Sequence, residues 1–180
     1  MKKKLGPQTL LYPLPATLIG SLINEKPNFM TAAWCSICSH KPPSICVAIH
    51  KSRYTLEGIK ENQTFSVNIP NRRLVEKVDF CGTHTGRKED KSRIFKVFYG
   101  RLKTAPMIED CPLSIECKLR KIFEIDSHVI VIGEIVETYI DEECITEGKP
   151  DPKKIDPIVY LTSVRKYATL GEYIADAFKK

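Results

Sequence analysis

The segment Asn28 to Trp34 reads Asn-Phe-Met-Thr-Ala-Ala-Trp, and the interpretation of the whole chain depends on it. Its residues are typical of a strand, and the two small side chains of Ala32 and Ala33 leave room for a flat ligand close to the backbone. We therefore expect Thr31, Ala32 and Trp34 to form the wall of a narrow slot. An alternative interpretation of Trp34 is an ordinary buried aromatic residue of the core.

A second segment, Ile45 to Thr55, reads Ile-Cys-Val-Ala-Ile-His-Lys-Ser-Arg-Tyr-Thr. Its apolar half predicts a strand, and its second half brings Lys51, Ser52, Arg53 and Thr55 to the start of a predicted helix. Free backbone N–H groups and the helix dipole favour phosphate binding at such a place. We expect these residues to bind the phosphate of a cofactor, with only one of the two cations turned directly into the site. The alternative is an exposed basic turn whose hydroxyls cap the helix.

The remaining patterns predict a mainly β (α+β) protein, a closed or partly closed antiparallel barrel with short helical insertions. Strands are predicted at Thr17–Ile23, Phe29–Trp34, Ile45–Lys51, Phe65–Ile69, Ile115–Arg120 and His128–Glu137, and helices at Tyr54–Asn62, after Asn71 and at Glu172–Lys180. The run Ile45–Lys51 has few polar positions, so we expect burial on both of its faces. Alternation in the next strand predicts that Ser66 and Asn68 point toward solvent or a ligand. The polar segment Glu142–Pro157 is predicted to be a surface excursion.

Length and composition favour one domain over residues 1–180. The net charge of +6, from 28 Lys and Arg against 22 Asp and Glu, lies partly at the two ends of the chain, and no nucleic-acid-reading motif accompanies it. Seven cysteines, an odd number, favour a reducing compartment. No apolar run approaches the roughly 20 residues that cross a bilayer, and no secretory signal opens the chain. We expect a soluble cytoplasmic protein that binds neither membranes nor nucleic acid.

Several short segments in addition carry a family resemblance, because they occur in a fixed order over nearly the whole chain. They are Leu10-Leu11-Tyr12-Pro13, Pro27 to Trp34, Lys51-Ser52-Arg53-Tyr54-Thr55, Phe65-Ser66-Val67-Asn68-Ile69-Pro70, Cys81-Gly82, Gly86, Asp90-Lys91, His128 and Gly133-Glu134. In this order the chain resembles the flavin reductase-like, FMN-binding split-barrel proteins, and most closely their flavoredoxin branch.

The resemblance implies a homodimeric split β-barrel that binds FMN near the subunit interface. It places the FMN contacts on Thr31, Ala32, Trp34, Ser36, His50, Lys51, Ser52, Arg53, Tyr54, Thr55, Asn68, Ile69, Pro70, Cys81, Gly82, Thr85, Gly86 and Lys91. In this interpretation Asn68, Ile69 and Pro70 contact the flavin through backbone and amide groups. Lys91, or alternatively Arg87, supplies the cation near the N1 and O2 edge of the flavin ring.

The resemblance also places His128 near the reactive face of the flavin, where it orients a nicotinamide or supplies a proton. From the residues alone, His128 equally fits a strand-end histidine that caps a turn. The implied function is an NAD(P)H-dependent flavin reductase or a flavoredoxin-type carrier that exchanges electrons with a partner protein. The alternative is a non-catalytic module in which FMN is a structural or sensing ligand.

Cys35 and Cys38 form a Cys-x-x-Cys pair, with Cys46, His40 and His50 nearby in the sequence. Two thiolates at this spacing bind a zinc or iron ion in some proteins and form a redox dithiol in others. The second ligand pair of a closed four-ligand site is missing, so we expect no metal. Cys35 and Ser36 are alternatively predicted to line the flavin slot.

Overall fold

The computed structural model describes residues 1–178, and its secondary structure is mainly β, as the sequence predicts. The strands are β1 Leu14–Pro15, β2 Thr17–Ile23, β3 Lys26–Ala32, β4 Cys35–His40, β5 Pro43–His50, β6 Thr64–Ile69, β7 Val97–Phe98, β8 Met107–Ile108, β9 Leu113–Ile125, β10 His128–Ile140, β11 Ile145–Thr146, β12 Lys149–Pro150, β13 Ile158–Leu161 and β14 Lys166–Thr169. The helices are α1 Thr55–Asn62, α2 Val75–Thr83 and α3 Pro152–Ile155, with 3-10 turns at Arg72–Leu74 and Glu142–Cys144.

Seven antiparallel strands form one sheet in the order β3-β2-β6-β9-β10-β5-β4. The two outermost strands, β3 and β4, are consecutive in the chain, and only Ala33 and Trp34 separate them. The two edges of the sheet therefore meet at this link, and the sheet closes into a barrel that is split there. A smaller sheet, β1-β13-β14, lies outside the seven-stranded one.

Two apolar clusters stabilise this arrangement. The larger fills the barrel with side chains from every strand of the main sheet, including the fully buried Phe65, Val47 and Val131. The smaller lies between the barrel and α2, where Phe29 and Phe95 meet edge to face with ring centroids 5.2 Å apart. The second cluster also includes residues of β13 and β14, which is how the small sheet is attached.

The turn between β2 and β3 is shorter than the sequence suggests. Asn24 and Glu25 both have positive φ, 49° and 62°, as in the two-residue turns that match the twist of a β-hairpin. Strand β3 consequently begins at Lys26 and includes Pro27, which pairs opposite Leu22. The predicted strand at Phe29–Trp34 therefore begins three residues too late.

The Cys- and Ser-rich segment after Trp34 is not the simple link that the sequence suggests, because it forms edge strand β4. The prediction that the next strand is buried on both faces is also wrong. In β5, Ile45, Val47 and Ile49 are buried in the barrel, whereas the alternate residues Cys46 and Ala48 are only half-buried. That outer face borders the cavity described below.

Helix α1 agrees with the predicted Tyr54–Asn62 to within one residue, and it buries Leu56 and Ile59 against the barrel. Gly58 lets the helix lie directly on β2, since a Cβ there would overlap the Leu22 carbonyl and the Ser21 hydroxyl. Asn71 caps the following 3-10 turn as predicted, accepting a hydrogen bond from the Arg73 N–H at 3.0 Å.

The helix predicted after Asn71 is α2, which continues to Thr83 and therefore includes Cys81 and Gly82. The predicted helix Glu172–Lys180 is absent over residues 172–178, and Lys179 and Lys180 lie outside the described residues. Tyr173, at 66% exposure, has no apolar surface that would bury a helix face.

The segment from Glu142 to Pro157 is mostly exposed, as predicted, although it contains the short elements β11, β12 and α3. Within it, Cys144 and Ile155 are buried. None of the helices within residues 1–178 has the length and apolar character required to cross a membrane.

Candidate functional site

A cavity of about 440 Å³ opens where the barrel is split. This volume lies within the range of sites that bind small molecules and cofactors. One side, which we call the sheet wall, consists of Thr31, Ala32, Ala33, Trp34, Ala48, His50 and His128. A second group of lining residues, which we call the hairpin wall, consists of Tyr160, Thr162, Arg165 and Tyr167 from the β13–β14 hairpin and of Asp79 from α2. Arg53 and Gly82 also line the cavity.

The sheet wall is a shallow slot made by small side chains beside one indole ring. The N–H of Ala48 donates to the Trp34 carbonyl over 2.9 Å, which joins β5 to the link that closes the barrel. The Trp34 side chain is 41% exposed, so the alternative of a fully buried core residue is wrong. Its ring lies 5.0 Å from that of His128, between centroids, at an interplanar angle of 35°. These surfaces suit a flat aromatic ligand.

Two histidines face each other at the end of the sheet wall because β5 and β10 pair His50 opposite His128. Their ring centroids are 5.1 Å apart in an edge-to-face arrangement. The His128 Nδ1 lies 2.8 Å from the Ser127 hydroxyl, and the His50 Nδ1 accepts the Ser52 N–H over 3.2 Å. Partial burial, and then the charge of His50, lower the pKa of His128 below its usual 6.5. His128 is therefore mainly neutral at pH 7 and above.

Arg53 is the cation of the predicted phosphate cluster that lines the cavity. Its guanidinium donates to the Gly82 carbonyl over 2.8 Å, and its backbone N–H donates to the His50 carbonyl over 2.9 Å. A guanidinium has five N–H donors, so most of them stay available to an anion. Gly82 also lines this part of the cavity, and an added Cβ would contact the Cβ of Thr31 at 3.4 Å, an ordinary van der Waals distance.

The other three members of the predicted phosphate cluster, and the neighbouring Tyr54, have different surroundings. Lys51 forms an ion pair with Glu124 at 3.0 Å, and the buried Thr55 hydroxyl accepts the Asn28 side-chain N–H at 2.7 Å. Ser52 bonds to His50, and Tyr54 has no side-chain bond that caps α1. None of these four lines the cavity. Residues 51–53 form a turn that the Arg53 N–H closes onto the His50 carbonyl, and this turn, rather than the alternation of an extended chain, gives Lys51 and Arg53 different surroundings.

The prediction that Ser66 and Asn68 face solvent or a ligand is wrong, because β6 lies between β2 and β9 and both side chains are fully buried. The Asn68 amide donates to the Leu18 carbonyl at 3.0 Å, and its oxygen accepts from the Ile108 N–H at 3.0 Å and the Ser114 hydroxyl at 2.9 Å. These bonds occupy the amide within the protein. Asn68, Ile69 and Pro70 are not part of the cavity lining.

The interpretation of Lys91 as the cation beside a flavin ring also needs correction. Its side chain is buried, and its ammonium donates to the carbonyls of Phe29 at 3.1 Å, Cys81 at 3.1 Å and His84 at 2.6 Å. Burial lowers the pKa of this ammonium. Lys91 thus holds the segment after α2 against β3, outside the cavity.

The remaining predicted residues contribute little surface to the cavity. Cys81 is a buried residue of α2 itself, and that burial raises the pKa of its thiol to about 11. Thr85 and Gly86 belong to the following segment, and Ser36 bonds to the carbonyl of its own neighbour Ile37 at 3.2 Å. None of these residues lines the cavity. Seven predicted residues do line it, namely Thr31, Ala32, Trp34, His50, Arg53, Gly82 and His128.

The hairpin wall is the part of the site that the sequence reasoning missed. The Tyr167 hydroxyl donates to the Asp79 carboxylate at 3.1 Å, and the Tyr160 and Tyr167 rings have centroids 5.5 Å apart. Burial, followed by the bond to Asp79, raises the pKa of Tyr167 to about 12. Arg165 stands in the turn between β13 and β14. Alternating aromatic and hydroxyl residues on both sides of that turn were the available sequence signal.

Together the two walls accommodate a planar ring beside Trp34 and an anionic group near Arg53 and Arg165. Within residues 1–178 no three His, Cys, Asp or Glu side chains are placed to share a metal ion. Comparison with known protein families then identifies the class. A model of the flavin reductase like domain matches residues 9–171.

The chain belongs to the flavin reductase-like family.

Solved structures of this family agree with the fold. The flavoredoxin of Methanosarcina acetivorans is 42% identical to this chain, with a TM-score of 0.97 over 99% of this chain and 96% of the other. The flavoredoxin of Desulfovibrio vulgaris is 40% identical, with a TM-score of 0.92 over 99% and 98% of the two chains. An FMN-binding protein from Thermus thermophilus, at 24% identity and a TM-score of 0.84 over 98% and 99%, shares the fold. The predicted family and split-barrel fold are confirmed.

Proposed function

We propose that the cavity binds FMN and that the protein is a flavoredoxin-type electron carrier. The observation that carries this proposal is the split of the barrel, where a slot of small side chains beside Trp34 opens next to the half-buried Arg53. The resemblance of the chain to two flavoredoxins at 42% and 40% identity supports the same conclusion.

The residues present fit FMN in both shape and charge. The flat ring system matches the slot formed by Ala32, Ala33 and Ala48 beside the Trp34 indole. The phosphate would receive charge-assisted hydrogen bonds from Arg53, which the Gly82 carbonyl already orients. Bound FMN supplies the capacity to accept and donate electrons singly or in pairs.

The protein's own residues bind, orient and shield the ring. Trp34 would cover one part of a bound ring, and His128, whose imidazole is mainly neutral, lies beside Trp34 at the end of the slot. We propose that His128 positions the electron donor or holds a proton at its Nε2, since the Nδ1 is bonded to Ser127. The assignment of the other predicted contacts to FMN stays a proposal.

The electron source separates two forms of this function. A carrier exchanges electrons with a partner protein, whereas a flavin reductase takes hydride from NAD(P)H. The family name makes the reductase the second candidate. Steady-state NADH and NADPH oxidation with ferricyanide distinguishes the two: turnover supports the reductase, and its absence supports the carrier.

The first experiment is the visible absorbance spectrum of the purified protein, followed by denaturation and chromatography of the released compound. A yellow protein that releases about one FMN per chain supports the proposal. A colourless protein that does not bind added FMN overturns it. FMN titration by fluorescence quenching then gives the dissociation constant against which variants are compared.

We further propose that the protein is a homodimer whose interface is the outer face of strands β9, β10 and β5, beside the cavity. Phe123 lies opposite Ile130, and Ile130 opposite Ala48, so an apolar row runs across three strands to the cavity. Phe123 is 43% exposed at the start of this row.

Light scattering tests the dimer and should give twice the chain mass. Phe123→Lys should yield a monomer and the matched exposed-site control Leu170→Lys a dimer, and a monomeric wild-type protein would contradict the proposal.

A further inference from the structure

Three free cysteines meet on the β4–β5 hairpin, and the FMN proposal makes no use of them. Cys35 and Cys38 lie on β4, and Cys46 lies on β5. The ladder pairs Ser36 with Cys46 and Ile37 with Ile45, and then shifts register before Ser39. Cys38 is therefore the extra residue of a β-bulge, a feature that re-aims a side chain out of the regular alternation.

The bulge brings Cys38 to Cys46 and separates it from Cys35. Three residues of extended chain span about 10 Å, beyond the 4.4–6.8 Å between Cα atoms that a disulfide requires. Cys35 also packs against the barrel core, and burial raises the pKa of its thiol to about 12. By contrast, Cys46 lies on the neighbouring strand directly beside the bulge, where it pairs with Ser36, and it is near enough to raise the pKa of the Cys38 thiol. The Cys-x-x-Cys pairing suggested by the sequence is therefore not the one that the fold makes.

The location of this pair connects it to the surface and to the cavity. Cys38 is exposed on edge strand β4, so a soluble reagent reaches it directly. Cys46 lies on the same face of β5 as Ala48, two residues away, and Ala48 lines the cavity. We propose that Cys38 and Cys46 form a redox-active dithiol whose substrates are low-molecular-weight disulfides.

The exchange is balanced in two steps. The Cys38 thiolate attacks one sulfur of the small disulfide, the reagent's S–S bond breaks, and one small thiolate leaves. Cys46, after losing its proton, attacks the Cys38 sulfur of the mixed disulfide and releases the second small thiolate. The two cysteines lose two protons and two electrons, and the small disulfide is reduced to two thiols.

The surroundings of Cys38 give this reaction a pH dependence. Burial, followed by the charge and hydrogen bond of Cys46, raises the pKa of Cys38 above its usual value. The thiolate is the attacking form, so the exchange should be faster at pH 9 than at pH 7.

The test uses oxidised glutathione and the full-length protein. After acid quenching, free thiols are blocked with iodoacetamide, the protein is reduced, and the newly freed thiols are labelled with N-ethylmaleimide and located by fragment-ion mass spectrometry. The wild-type protein should lose two hydrogen atoms as the disulfide forms. N-ethylmaleimide should then be found on both Cys38 and Cys46, which marks them as the two cysteines of that disulfide. Cys46→Ser should instead retain glutathione on Cys38, and Cys38→Ser should leave Cys46 free.

Two control variants make the result specific. Cys35→Ser and Cys144→Ser, each lacking a cysteine outside the pair, should still form the disulfide. Linkage of Cys35 to Cys38, a wild-type product that stops at the glutathione adduct, or no reaction would each overturn the proposal. The assay needs no flavin, so its failure leaves the FMN proposal untouched, and loss of FMN binding leaves this proposal untouched.

Discussion

The sheet wall and the hairpin wall of the cavity are held in place by different means. The sheet wall belongs to a seven-stranded ladder, and the Thr31 hydroxyl in addition bonds to the Val78 carbonyl of α2. The hairpin wall belongs to a small sheet whose first strand has two residues, and Tyr167 joins it to α2 through Asp79. The strongly constrained wall is suited to orienting a ring, and the weakly constrained wall is suited to selecting what approaches it.

The largest expected effect is on stability and concerns Lys91, which supports the sheet wall. It tests whether Lys91 stabilises the fold or contacts the flavin. Lys91→Met leaves the carbonyls of Phe29, Cys81 and His84 without their donor. Each unsatisfied buried group costs about 1–3 kcal/mol, and partial relaxation of the structure offsets some of the total. The free energy of unfolding should therefore fall by about 3 kcal/mol, which lowers Tm by roughly 6–12 °C. Differential scanning calorimetry measures this.

The exposed Lys88→Met is the matched control and should change stability by less than about 0.5 kcal/mol. If Lys91→Met has wild-type stability but an altered reduction potential of the flavin, Lys91 acts at the flavin site and the structural role described above is wrong.

The next effect tests where the phosphate binds. Arg53→Ala removes a cation that lines the cavity together with Arg165, and loss of a charge-assisted bond of about 2 kcal/mol should weaken FMN binding roughly 30-fold. Fluorescence titration of FMN measures the change, and the exposed Arg73→Ala serves as control. Lys51→Ala is the informative comparison. An equal loss of FMN affinity in that variant would indicate that the phosphate binds at the exposed turn and not in the cavity.

A smaller effect is expected from the hairpin wall. Tyr167→Phe keeps the ring and removes the hydroxyl bonded to Asp79. Loss of one such bond within the protein costs about 1 kcal/mol of stability, so FMN binding, measured by fluorescence titration, should weaken by no more than roughly fivefold. If Tyr167→Phe proves as damaging as Arg53→Ala, the two walls do not differ in the way described above.

The smallest effect is the titration of His128 in the sheet wall. Its folded-state pKa is lowered, so the unfolded chain binds a proton first as the pH falls below the usual 6.5. His128 therefore leaves stability unchanged above that pH and reduces it as the pH falls through the lowered pKa. Urea unfolding at pH 8 and pH 5 should show a larger loss for wild type than for His128→Gln. Equal losses would mean that His128 is not perturbed.

The sequence predicted the parts of the site that lie within single strands. Thr31, Ala32 and Trp34 follow one another along the chain, so alternation and residue size were enough to place them. Arg53 follows directly from the end of a recognisable strand. The resemblance to a known family added FMN, His50, Gly82 and His128, which local patterns alone could not supply.

What the sequence missed depended on pairing between distant segments. The hairpin wall meets the cavity only because β13 pairs with β1 and Tyr167 reaches Asp79, a partner 88 residues away in the chain. Burial of Asn68 depends on β9 adding to the far side of β6. The bulge at Cys38 arises from register, and composition carries no signal of it.

The two-residue link that closes the barrel also has a dynamic consequence. One edge of β3 and one edge of β4 have no neighbouring strand in the described sheet, so backbone amides beside the Ala33–Trp34 link lack the protection of a continuous ladder. Their hydrogen exchange should be faster than that of β6 at the centre of the sheet. FMN bound in the slot should slow exchange over residues 31–36 selectively, so that exchange mass spectrometry reports occupancy of the site without any optical signal.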